Sequence, residues 1–185
     1  MKTEKPSRFV RLCETASPTG SERAVADLVT RELQALGLEV TEDDAAGATL
    51  AGAGNLLARI PGVPDAEGED PGYVMFCAHL DTVPHDGPIE VVLDDDGIYR
   101  SAGSTILGAD NKAAVAVLIE MAARAVATPP PVGIELLFTV AEEQGLIGAD
   151  AFDQSLLFSK VGFVLDHATD IGEVITSAPT HIGIE

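Results

Sequence analysis

The chain has 185 residues, 46% of them hydrophobic and 22% charged, a composition that supports one core-bearing domain and excludes a disordered chain. Against 11 bases stand 30 acids, and the resulting formal charge of −19 would repel a nucleic acid or an anionic membrane surface rather than hold it. No stretch is long and apolar enough to span a bilayer, and Met1 to Arg11 lacks the apolar segment of a targeting signal.

Cys13 and Cys77 stand far apart inside apolar stretches, the placement of small buried hydrophobes in a reducing compartment, so a cytoplasmic location is expected. Ser7 to Thr15 carries a short helical pattern that ends at Ser17-Pro18. Thr19 and Glu22 then form a capping box ahead of an apolar stripe at Val25, Leu28, Val29, Leu33 and Leu36, with Gly37 placed to end the helix.

The period then changes to that of strands, at Leu38 to Thr41, Asn55 to Ile60 and Tyr73 to Ala78, with Asp65 to Gly72 as a surface loop. Ile89 to Leu93 and Ile98 to Ser101 flank the turn sequence Asp94-Asp95-Asp96-Gly97 and predict a hairpin. Asn111 to Ala127 is helical in period and is closed by Pro129-Pro130-Pro131. Ile134 to Val140 reads as a continuous apolar strand, Gly145 to Phe152 as a short helix and Val161 to Leu165 as a second buried strand. This alternation predicts an α/β domain with a largely parallel or mixed sheet covered on both faces. Val174 to Glu185 alternates apolar and polar residues without a stop signal and reads as a cut within a strand.

Four polar clusters each follow an apolar run: His79-Leu80-Asp81, Asp110, Glu142-Glu143 and Asp166-His167. Ligands of open α/β sheets gather outside the carboxyl ends of the strands, so these side chains are expected to converge. Converged carboxylates repel unless they take up protons or hold a cation, and no cluster of Arg or Lys stands beside them in the sequence. One His with several carboxylates suits Zn²⁺, Mn²⁺ or Co²⁺. In an extended chain His79 and Asp81 point to the same side, which lets Asp81 accept from one ring nitrogen while the other binds metal. Of Glu142 and Glu143, one can ligate and the other can receive a proton from water.

Each cluster also has a plainer reading taken singly. Asp110 suits a helix N-cap, the Glu pair the positive end of a helix, Asp166 a turn, and His79 a satisfied core position. Their joint occurrence at four strand ends favours the metal.

The strings CAHLDTVP (77–84), GADNKAAVA (108–116), FTVAEEQGLIGA (138–149) and FVLDH (163–167) resemble, in order, the metal-site motifs of the aminoacylase/carboxypeptidase/succinyl-diaminopimelate desuccinylase family of zinc peptidases. The Gly-Leu-Ile-Gly-Ala tail resembles its peptidase T-like (tripeptide aminopeptidase) branch. The resemblance implies a three-layer α/β/α fold with a mixed, mostly parallel sheet. It implies two Zn²⁺ ions, with Co²⁺ or Mn²⁺ as substitutes. His79 and Asp166 would bind one ion, Asp110 would bridge both, and Glu143 would bind the second. Asp81 would orient His79, Glu142 would act as general base, and a cis peptide bond is expected at Asp110-Asn111.

In the family a lid or dimerisation domain and a late metal-binding His follow, and none of His85, His167 and His181 matches that ligand. The expected division is therefore a catalytic portion over 1–176 and the start of a lid over 177–185, with the parent enzyme a homodimer through the lid. The expected substrate is a short peptide. The alternatives are an N-acyl amino acid, as for a deacylase or carboxypeptidase, a catalytically silent metal-binding fragment, or a purely structural acidic domain.

Overall fold

The computed structural model describes residues 7–64, 66–68 and 70–177. Helices α1 (Arg8–Glu14) and α2 (Arg23–Ala35) lead into β1 (Val40–Glu42), a single turn α3 (Ala46–Thr49), β2 (Leu56–Ile60) and β3 (Tyr73–His79). The hairpin β4 (Val91–Leu93) and β5 (Tyr99–Ser101) follows, then α4 (Ala109–Ala127), β6 (Gly133–Thr139), α5 (Ile147–Ala151) and β7 (Gly162–Val164). The main sheet runs in the order β1-β2-β6-β3-β7, with β4 and β5 forming their own two-stranded ribbon.

β6 pairs parallel with β3, and β3 parallel with β7. β2 runs antiparallel to both β1 and β6, so it alone opposes the other four strands of a mixed sheet. The expected α/β class and mixed sheet hold.

Period-2 alternation sorts the strand side chains between two layers. Leu56, Ala58, Ile60, Ala78, Ile134, Leu136 and Phe138 face α2 and α4, whose Val25, Val29, Leu33, Val115, Leu118 and Ile119 complete the larger core. Each fully enclosed large apolar side chain there stabilises the fold by roughly 1.5–3 kcal/mol. Leu57, Cys77 and Leu137 face the opposite side, where Phe152 and Leu157 cover them. Both cysteines are free and buried, as expected. Among the described residues, no helix is long and apolar enough to cross a membrane.

Two local expectations change, and one short helical turn is added. The strand expected to be buried at Val161 to Leu165 is exposed, with Val164 at 67%. It is the sheet's outermost strand and bonds only to β3, so its outer side has no neighbour among the described residues. Nor does a capping box start α2: Glu22 occupies the N-cap position without a side-chain cap bond. The turn α3 carries no sequence signal, since Gly and Thr are weak helix formers. The strand and lid start expected at the chain end fall mostly on 178–185, outside the described residues.

Candidate metal centre

Register fixes where the site forms. His79 is the last paired residue of β3, opposite Thr139 of β6. Val164 of β7 lies opposite Cys77, so Asp166, two residues on, comes level with His79. Three parallel strands thus end together, and the start of α4 reaches the same edge.

His79 Nε2 lies 3.1 Å from Asp110 Oδ1, 3.8 Å from Asp166 Oδ1 and 3.9 Å from Glu142 Oε2. Two sets of donors, His79 with Asp110 and Asp166, and His79 with Glu142 and Glu143, each lie within 4.8 Å of one another. Ligands about 2.0–2.1 Å from one tetrahedral Zn²⁺ stand roughly 3.4 Å apart, so these spacings fit shared divalent ions. The donors are also of the right kind, one imidazole and hard carboxylate oxygens.

His79 itself is buried, and its Nδ1 stands 3.3 Å from Asp81 Oδ1, at ion-pair distance although the hydrogen-bond angle is imperfect. That contact favours the proton on Nδ1 and leaves Nε2 facing the carboxylates. Burial disfavours the charged ring, but Asp81, Asp166 and Glu142 outweigh it and push His79 up to about 9. Burial raises Glu142 and Glu143 above the usual carboxylate range, and neighbouring acids add to the shift while His79 opposes it. Without a metal the crevice therefore sets one imidazole, His79, against four acids, Asp110, Glu142, Glu143 and Asp166.

The backbone that delivers the Glu pair is held by side chains from distant segments. Four successive N–H groups donate to them: Val140 to Asn55 Oδ1, Ala141 to Glu22 Oε1, Glu142 to Asp81 Oδ1 and Glu143 to Asp81 Oδ2, at 3.0–3.1 Å. Thr19 Oγ1 donates to Asp81 Oδ2 at 2.8 Å. Burial works against ionised Asp81, yet His79, the two N–H donors and Thr19 together hold it below the usual carboxylate range. Gly148 is required in α5, which follows, because a Cβ there would stand 1.9 Å from the Val140 carbonyl oxygen.

The other ligands are braced as well. The Asp110-Asn111 peptide bond is cis, as the resemblance implied. Asp110 is not the helix cap, a position held by Gly108, and its side chain is 74% exposed toward the crevice mouth. Asn111 Nδ2 donates to the Leu165 carbonyl at 2.7 Å, one residue before Asp166.

The sequence offered no cationic cluster near the acids, but one cation lies beneath them. Lys112 is buried, and its Nζ donates to Ser17 Oγ at 2.5 Å and to the Leu80 carbonyl at 2.6 Å. Burial pushes its ammonium down to about 8, against the pull of Cys13, Asp81, Glu22 and Asp110. Both of these bonds go to neutral oxygens, so Lys112 acts on the acids only at a distance.

His79, Asp81, Asp110, Glu142, Glu143 and Asp166 thus lie together at this edge of the sheet. His85 bonds the Gly87 carbonyl at 3.0 Å and joins neither donor set, and exposed His167 joins neither. His181 lies outside the described residues. Sequence reasoning missed Thr19, Glu22, Asn55, Asn111 and Lys112, whose partners are remote in the chain.

The sequence signature of peptidase family M28 matches residues 55–172. Aminopeptidase PepT from Bacillus cereus superposes with a TM-score of 0.81 at 36% identity, over 89% of this chain and 43% of its own. A Staphylococcus aureus tripeptidase superposes with a TM-score of 0.80 at 33% identity, over 88% and 43%. The uncharacterised Bacillus subtilis protein YqjE is 36% identical over 93% of this chain and 45% of its own length. The chain thus spans less than half the length of each of these relatives.

Proposed function

The chain belongs to peptidase family M28, and from that premise we propose that it forms the metal-binding part of a metal-dependent hydrolase acting as an aminopeptidase on short peptides. The observation that carries this reading is the meeting of His79, Asp110, Asp166 and the Glu142-Glu143 pair at one strand edge. The likeness to a tripeptidase and to PepT supports the substrate class.

When bound, a divalent pair, Zn²⁺ in first place and Co²⁺ or Mn²⁺ as substitutes, supplies Lewis acidity toward water and the scissile carbonyl. In this reading His79 and Asp166 would hold one ion, Glu143 the other, and Asp110 would contribute to both. Asp81 fixes the ring of His79. Glu142, whose carboxyl burial raises above the usual carboxylate range, would take the proton from the attacking water and pass it to the leaving amine.

Zn²⁺ titration followed by calorimetry, with tripeptide hydrolysis followed in parallel, tests the proposal. His79→Ala and Asp110→Ala should each lose more than ~100-fold in Zn²⁺ affinity, beyond what loss of an orienting neighbour alone costs. Cleavage should begin at a free amino end. Release of an acyl group from an N-acyl amino acid in its place reassigns the substrate to that of a deacylase, and unchanged metal uptake by both variants overturns the metal centre.

A further inference from the structure

Between α1 and α2 the chain passes under the metal centre. Thr19 N donates to the Thr82 carbonyl at 3.1 Å and Thr82 N to the Ser17 carbonyl at 3.0 Å, so residues 17–19 run beside 80–82 like a short added strand. Glu22 lies three residues on, fully buried, with Oε1 on the Ala141 N–H at 3.1 Å. Its Oε2 is buried with no hydrogen-bond partner. A carboxyl in that position is costly for the fold and needs a compensating purpose.

Ala141 supplies one. It adopts a left-handed φ of 51°, a conformation that costs a non-glycine residue on the order of 1–3 kcal/mol and persists only where surroundings enforce it. This residue turns the chain out of β6, and the next two are Glu142 and Glu143. Asn55 holds the N–H before it and Asp81 the two after it, which leaves Glu22 as the acceptor at the strained residue itself.

We propose that Glu22 is a positioning residue of the metal centre, fixing the Ala141 turn so that Glu142 and Glu143 face His79. The inference rests on reading the crevice as a metal centre. Glu22 touches no metal-ligating atom and acts only through the backbone. The Ala141 N–H needs only an acceptor oxygen at the end of a side chain of this length, which the isostere Gln also supplies.

The decisive experiment compares Glu22→Gln with Glu22→Asp in the whole chain, reading Zn²⁺ affinity by chelator competition and the visible absorption of bound Co²⁺. Glu22→Gln keeps an acceptor oxygen at full length and should stay within about 3-fold of wild-type affinity. Glu22→Asp withdraws the acceptor by one methylene and should lose about 10-fold or more, with an altered Co²⁺ spectrum. A merely structural role lowers thermal stability equally in both and leaves the spectrum unchanged.

Hydrogen exchange on the unsubstituted, metal-free chain needs no variant to fold. Its Ala141 amide should be strongly protected, and exchange there at the rate of an exposed loop overturns the proposal. So does wild-type metal affinity in a folded Glu22→Asp. Absence of Zn²⁺ uptake by the unsubstituted chain instead overturns the metal centre itself, a result distinct from failure of the positioning role.

Discussion

Glu135 on β6 and the Glu142-Glu143 pair just beyond that strand are the same residue type a few positions apart, in opposite electrostatic conditions. Glu135 is fully buried, yet it accepts from Arg59 Nε at 2.8 Å, from the Phe158 N–H at 3.1 Å and from the Ser159 N–H at 2.8 Å. Burial alone would raise its carboxyl, but Ser159, Phe158 and Arg59 hold it below the usual range. Arg59 also lies over the Phe158 ring, 4.3 Å from its centroid, and ties the segment after α5 to the sheet. Glu142 and Glu143 are more exposed, and still their carboxyls are raised. Burial does not separate a structural acid from a functional one. The supply of donors does, since among the described residues no hydrogen bond reaches the carboxyl of Glu142 or Glu143, and a cation would fill that place.

The largest effect expected from this contrast is on Glu135. Glu135→Gln places an amide N–H₂ against groups that need an acceptor and removes the charge facing Arg59. It should lower stability in urea unfolding of the metal-free chain by about 2 kcal/mol, the worth of a hydrogen bond to a charged group. Zn²⁺ affinity should not change, and a drop in affinity without a drop in stability would break the contrast.

Next in size is a pH dependence of the metal-free chain. His79 is pushed up to about 9 in the folded chain from an ordinary 6.5. The stability it contributes is therefore fully present below about 6.5 and is lost as pH rises toward 9. Lys112, held down to about 8 when folded against 10.5 when free, acts in the opposite direction above pH 8. Between pH 6.5 and 8 the unfolding free energy should fall by up to about 1.4 kcal/mol per pH unit. His79→Gln should flatten that slope, and an equal slope in the variant would place its origin elsewhere.

What could be read in the sequence depended on range. The stripe Val25, Val29 and Leu33 and the apolar runs of β3 and β6 are local patterns, and each appears where periodicity put it. His79, the Glu pair and Asp166 were legible because each ends or follows a strand, whereas Asp110, also expected at a strand end, opens α4 after a loop. Thr19 and Glu22 were misread because their spacing is that of a capping box, whereas their partners Asp81 and Ala141 lie 62 and 119 residues away. Glu135 was hidden inside an apolar run, where no local pattern shows that Arg59 faces it across the register of β2 and β6. The exposure of β7 was equally hidden, since an apolar run has the same composition in the middle of a sheet and at its edge.

The smallest expected effect is the most discriminating. Glu142→Gln is the same chemical change as Glu135→Gln, but in the crevice it removes one of several repelling charges and withdraws no acceptor that a described donor uses. The backbone N–H of Glu142 stays on Asp81, so the turn keeps its anchor. Stability of the metal-free chain should stay within about 0.5 kcal/mol of the unsubstituted protein, because relief of repulsion among the acids offsets the loss of one charge that pulls on His79. Thermal melting of the two Gln variants side by side, without metal, reads the difference directly. If Glu142→Gln lost as much as Glu135→Gln, the crevice acids would be structural groups with donors of their own, and the case for a cation between them would fail.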